Sequence, residues 1–162
     1  MAPDRRTILR QAASAALFIW MVATASAQEV AVPLAERARG SERVLVGRVA
    51  TVNPVWRTND FGDRLIVSIA RVAVDETLKG TAQSTVEVEI EGGTLDGVTL
   101  HVSDLDPVAA GDRAVFYLKP TSRGRFVPHL RGQGVLKLDR SDRVRGSTLR
   151  LSDIRRAVAD VR

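Results

Sequence analysis

Two valine-rich runs, residues 43–52 and 64–74, each change the face they bury partway along, and this constrains the fold more than any other feature of the chain. In the first run Val44 and Val46 share one parity and Val49 falls on the other, with Gly47 between them. In the second, Leu65, Val67 and Ile69 give way to Ala70, Val72 and Val74. Successive strand side chains point to opposite faces, so a phase change needs a bulge or a sharp coil, and a glycine is where one fits. Long strands that bend in this way suit a small closed barrel.

The remainder reads as further short strands. Residues 85–91 alternate strictly, Val86, Val88 and Ile90 against Glu87, Glu89 and Glu91, so one face is buried. The acidic face reads as a solvated ladder that pairs with arginines on neighbouring strands, each exposed pair worth about 0–1 kcal/mol. Gly92-Gly93 turns the chain, and strands follow at 98–102, 113–119, 126–130 and 134–139, with a brief extended piece at 148–151. In the strand over 113–119, Ala114, Phe116 and Leu118 point inward and Tyr117 outward. Residues 53–63 read as a loop between the first two strands. A short helix is predicted over 33–39, with proline in its first turn and Gly40 ending it. A second begins at Ser152 as N-cap, with Asp153 in its first turn and Ile154, Ala157, Val158 and Val161 as its apolar stripe. The expected fold is mainly β, a small OB-like closed or partly open barrel of about five to seven strands with a short N-terminal helix and a C-terminal capping helix.

The first 27 residues predict export. Arg5, Arg6 and Arg10 form a basic region, residues 12–25 are apolar or small, and Ala25-Ser26-Ala27 is the small-x-small pattern that signal peptidase accepts. Cleavage is therefore expected between Ala27 and Gln28, leaving residues 28–162 as a single domain in the periplasm or outside the cell. The apolar run is shorter than the roughly 20 residues of a membrane-crossing helix, so no stable transmembrane segment is expected after cleavage. Arg5-Arg6, followed by Thr7, Ile8 and Leu9, also resembles a twin-arginine signal, which would carry a folded domain. The general secretory route stays open beside it.

Composition removes several classes. There is no cysteine, so the domain stands on its core alone, and cysteine zinc sites and thiol chemistry are excluded. The leader takes three arginines and one aspartate with it, leaving +3 of the chain's +5. Arginines alternate with acids and form no long basic block, so no nucleic-acid partner is expected.

Several short motifs stand together: Pro33-Leu34-Ala35-Glu36 to Ser41, Val44 to Val49, Leu78-Lys79-Gly80, Gly92-Gly93, Gly111-Asp112 before Val115-Phe116-Tyr117-Leu118, and Gly132-Gln133-Gly134. This series resembles a group of small exported bacterial proteins of unknown function. Its layout is similar to the OB-like barrel of tissue inhibitors of metalloproteinases and netrin-type modules. The resemblance implies a barrel but not the inhibitory mechanism, because those inhibitors place an N-terminal cysteine on the protease zinc.

No catalytic set stands out, and no cofactor is expected. Ser103 beside His101 and Asp104 cannot form a triad, since strand neighbours point apart, and there is no Gly-x-Ser-x-Gly elbow. His101, Asp104 and Asp106 are the one imaginable metal cluster, which would suit calcium better than zinc or serve a metal-dependent hydrolase. The same aspartates could simply make turns. The leading expectation is a non-enzymatic binding module for a protein or peptide. Its contacts would be Trp56, Arg57, Asp60 and Phe61 in the first loop, with Tyr117 on the outward sheet face. Trp56 could instead plug the barrel end as core. A structural component of the cell envelope is a further alternative.

Overall fold

A computed structural model describes residues 31–59 and 61–161. The export signal expected at Arg5, Arg6, Ala27 and Gln28, and the contact expected of Asp60, lie outside the described residues. The described chain runs α1 (Leu34–Gly40), β1 (Arg43–Thr58), β2 (Arg64–Lys79), β3 (Thr85–Glu91), β4 (Gly93–Leu95), β5 (Val98–Leu100), β6 (Arg113–Pro120), β7 (Phe126–Pro128), a 3₁₀ turn (Arg131–Gly134), β8 (Val135–Leu138) and α2 (Leu151–Ala159). No described helix is long and apolar enough to cross a membrane.

The fold is mainly β. Six strands form one sheet in the order β1-β2-β3-β7-β6-β8, and β6 pairs again with β1, so the sheet curls back on itself. It is not a regular barrel. The join of β3 to β7 is parallel and rests on one registered pair, Val88 with Phe126. β7 lies along the C-terminal half of β6 and β8 along its N-terminal half, so the two act as one strand interrupted by the 3₁₀ turn.

The phase changes expected at Gly47 and at Ala70 are not breaks in alternation: β1 is buried on both faces, so Val44 and Val46 serve one side and Leu45 and Val49 the other, and β2 pairs without a slip across Ile69 and Ala70. The β1–β2 register slips between Val44 and Leu45, between Val46 and Gly47, and between Val49 and Thr51. A β-carbon on Gly47 would lie 2.5 Å from Val72 Cγ1 and 2.7 Å from the Ala73 carbonyl, so only glycine lets the two strands approach there. Plain alternation divides the apolar residues of β1 and β6 between two cores. Leu45, Val49, Val72, Val88, Phe116 and Leu118 fill the interior of the curled sheet. Val44, Val46, Val115, Tyr117 and Leu138 bury the opposite face under Leu151, Ile154 and Val158 of α2 and Ala38 of α1. The central part of β6 is therefore covered on both sides.

Conserving backbone hydrogen bonds explains the small motifs near α1. Lys79 Nζ donates to the carbonyls of Ala38 at 2.6 Å and Ser41 at 2.7 Å, satisfying the carbonyl end of α1. Arg37, only 7% exposed, donates from Nε to the Val32 carbonyl and from Nη1 to the Gln133 carbonyl, tying α1 to the 3₁₀ turn. Burial pulls its guanidinium below the usual arginine range.

Three expectations need correction. Residues 53–58 belong to β1 rather than to a loop, since Trp56 pairs with Ile66 and Arg57 with Leu65. Pro54 argued against a strand, but beyond Arg48 the other side of β1 pairs with no strand, and proline is tolerated on such an edge. The cap of α2 is also different. Arg150 is the N-cap residue and its backbone N–H donates to Asp153 Oδ2 at 3.0 Å, whereas Ser152 lies inside the helix. Lastly, Gly93–Leu95 and Val98–Leu100 form a hairpin, of which only the second strand was expected. Asp96-Gly97, both at positive φ, make its turn, and that dipeptide is the signal that marks it.

Candidate functional site

The outer face of β2 and β3 holds a groove of about 330 Å³ between two turns. The first turn, residues 59–63, joins β1 to β2. The second, residues 121–125, joins β6 to β7. Leu65, Val67 and Val127 line the floor, and Arg57, Glu89, Glu91, Thr121 and Arg123 stand around it.

Each turn is held by its own first residue. Asn59 Oδ1 accepts the backbone N–H groups of Phe61 at 3.0 Å and Asp63 at 2.8 Å, and Asn59 Nδ2 donates to Asp63 Oδ2 at 3.2 Å. Thr121 Oγ1 does the same for Arg123 and Arg125 and donates to the Arg125 carbonyl. Side chains that replace water on local backbone groups in this way pre-form a turn before any ligand arrives.

The glutamate ladder of β3 is neither plain nor fully solvated. Glu89 is 8% exposed and accepts from Arg57 Nη2 at 3.1 Å and Arg125 Nη1 at 3.2 Å. Arg125 Nε reaches Glu87 at 2.7 Å, and Arg71 approaches the same carboxylate at 3.8 Å. Glu91 pairs with Arg131, which also holds Asp104 at 2.6 Å. The expected pairing with arginines is thus present. The hydrogen bond from Arg125 holds the Glu87 carboxyl below its ordinary range, and the one from Arg131 does so for Asp104. Arg57 Nε is buried and has no hydrogen-bond partner among the described residues.

The structure separates the residues expected to act together. Arg57 lines the groove, but Trp56 is its strand neighbour and points to the other face. There the indole Nε1 donates to Asp96 Oδ2 at 2.9 Å, and the Arg64 guanidinium lies 4.3 Å over the ring. Trp56 is half-buried and fastens the β4–β5 hairpin to β1. It is neither a free contact nor a barrel plug. Phe61 does stand free at the tip of the first turn, 91% exposed.

Tyr117 is corrected outright as a surface contact, being fully buried. Its side chain does point away from the barrel interior, but that side is roofed by the helices rather than by water. Its hydroxyl has no hydrogen-bond partner among the described residues, and burial pushes its pKa up to about 12.

His101, Asp104 and Asp106 do not assemble. Asp104 is engaged by Arg131, and among the described residues no group of three His, Cys, Asp or Glu side chains could hold a metal ion. His101 instead lines the edge of a second cavity, of about 210 Å³, at the end of the curled sheet beneath β4–β5 and walled by Val52, Pro54, Ser68, Ile90 and Leu105.

Leu65, Glu89, Thr121, Arg123 and Val127 were not foreseen as groove residues. They come from three separate segments, which the antiparallel β2–β3 pairing and the parallel join of β3 to β7 bring together. The acidic alternation of β3 was the one signal that pointed to this face. No family model matches the chain, and no curated protein matches it, so the chemistry of the groove rests on its own residues.

Proposed function

We propose that the protein is a non-enzymatic, exported binding module that takes a segment of a protein or peptide partner in the groove between residues 59–63 and 121–125. The observation that carries this reading is Phe61, 91% exposed and held by its backbone N–H to Asn59, which lines a groove with an apolar floor. An aromatic ring standing in water gains by covering itself on a partner.

Three features support the choice of ligand class. The floor of Leu65, Val67 and Val127 suits an apolar side chain. The guanidinium of Arg123, exposed in the lining and in no ion pair among the described residues, suits a backbone carbonyl or carboxylate. The carboxylates of Glu89 and Glu91 add acceptors for the N–H groups of a peptide backbone. Because both turns are braced internally, little ordering cost would fall on binding.

The strand order supports an OB-like assignment. The pairings β1–β2, β2–β3, β3–β7, β7–β6 and β6–β1 make a five-membered circuit with one parallel join. In OB-like barrels the face of the second and third strands, with the first hairpin loop and the loop between the fourth and fifth strands, is where ligands bind. The groove occupies the corresponding place. The similarity to small exported proteins and to netrin-type modules fits this layout, without the cysteine mechanism of the inhibitors.

The test is affinity capture from the native cell envelope with the mature chain, identification of the captured protein, and titration of that purified protein. Phe61→Ala with Arg123→Glu should weaken binding by more than tenfold while leaving the thermal unfolding midpoint within about 1 °C. Unchanged affinity in this variant would remove the groove as the site.

A further inference from the structure

A second cleft, of about 620 Å³, opens on the far side of the molecule's β1–β6–β8 sheet and is lined by four arginines, Arg48, Arg113, Arg140 and Arg145. They arrive from separate places: β1, β6, the turn after β8, and the segment that leads to α2. Arg48 and Arg113 are directly opposed residues of β1 and β6. Like charges placed so across two strands repel and destabilise a sheet, so their presence calls for a compensating charge.

Internal carboxylates compensate only half of the set. Arg113 is paired with Asp75 at 3.2 Å and with Asp142, and Arg145 reaches Asp112 at 3.4 Å. Among the described residues Arg48 donates to the Gly111 carbonyl, at 3.0 Å, and neither it nor Arg140 forms an ion pair. The one acid in the lining, Asp139, has its Oδ1 occupied by the backbone N–H groups of Ser141 and Arg143 and by the Ser141 hydroxyl.

We infer that this cleft binds a phosphate monoester dianion, held by Arg48 and Arg140 and flanked by Arg113 and Arg145. Guanidinium is the side chain best matched to such a group, because its planar donors meet two phosphate oxygens at once and it keeps its charge at any physiological pH. The four guanidinia of the lining outnumber its one carboxylate, Asp139. The inference is independent of the groove on the β2–β3 face. The group could be free inorganic phosphate or the headgroup of a lipid.

The test has two arms. The thermal unfolding midpoint of the mature chain is measured against inorganic phosphate at ionic strength held constant with sodium chloride. Retention is measured on phosphatidylcholine vesicles with and without phosphatidic acid. A rise in midpoint with phosphate alone identifies the free anion, and retention only on phosphatidic acid vesicles identifies the headgroup. In either case the double variant Arg48→Gln, Arg140→Gln should weaken the response at least tenfold, whereas Arg123→Gln in the groove should not. Should the double variant fail to fold, Arg140→Gln alone, in an exposed turn, carries the same comparison. No response in either arm, or a response that survives loss of these arginines, overturns the assignment.

Discussion

Glu89 of β3 and Arg57 of β1 are joined by a 3.1 Å ion pair whose carboxylate is 8% exposed and is shared with Arg125. The pair spans the middle strand, β2, and braces one wall of the groove. Removing Glu89 would leave two guanidinia facing each other with no acid between them. Glu89→Ala should cost about 2 kcal/mol, less than a fully buried pair because both arginines keep some contact with water. Urea unfolding measures this, and a cost below about 0.5 kcal/mol would show that the pair is not coupled to folding.

Tyr117 presents the opposite case, a polar atom whose removal should help. The hydroxyl is buried under the helices, near the Arg37 guanidinium, and has no hydrogen-bond partner among the described residues. Tyr117→Phe keeps the ring and removes the desolvated oxygen, so stability should rise by about 1 kcal/mol. A loss of stability would reveal a partner for the hydroxyl.

His129 makes stability depend on pH in a defined window. Burial, and then the nearby charge of Lys119, hold its imidazole below the ordinary value of 6.5. The unfolded chain therefore binds the proton at higher pH than the folded one. The stabilisation is present above 6.5 and is lost as pH falls through the lower folded value. Asp112 is also held low: its burial acts to raise it, but the Ala109 N–H and Lys137 outweigh that. Its loss falls later, in the carboxylate range. Unfolding midpoints between pH 7.5 and 5 should decline in the native chain and decline less in His129→Asn. Parallel curves would exclude His129 as the cause.

Gly132 allows the 3₁₀ turn to lie against the loop before β6. A β-carbon there would fall on the Asp104 carbonyl, which is backbone and cannot swing aside. Gly132→Ala should destabilise by about 3 kcal/mol and disturb the Arg131–Asp104 pair next to it. Gly124→Ala is the control for a glycine with open space around it, although its positive φ still costs about 1 kcal/mol. Equal effects of the two changes would mean that contact with Asp104 is unimportant.

Particular residues show which features were legible in advance. The bulge at Gly47, the buried face of β3 and the apolar stripe of α2 each follow from neighbours within a few positions. Periodicity in a sequence reports such local demands directly. Trp56 and Arg57 were assigned to one loop because Pro54 and Asn59 are turn formers. The strand in fact continues to Thr58, and the free edge that lets it do so depends on where β6 ends.

By itself, the sequence determined a β-rich domain without disulfides, bent at a glycine and closed by a short amphipathic helix, because alternation, bulges and helix periodicity are short-range properties. Only the tertiary structure decided which side of each strand meets water. Tyr117 points outward as its parity requires, yet two helices cover it; Glu89 lies on the polar face, yet two arginines bury it. Burial depends on what packs over a face, and here the covering groups come from chain segments more than thirty residues away.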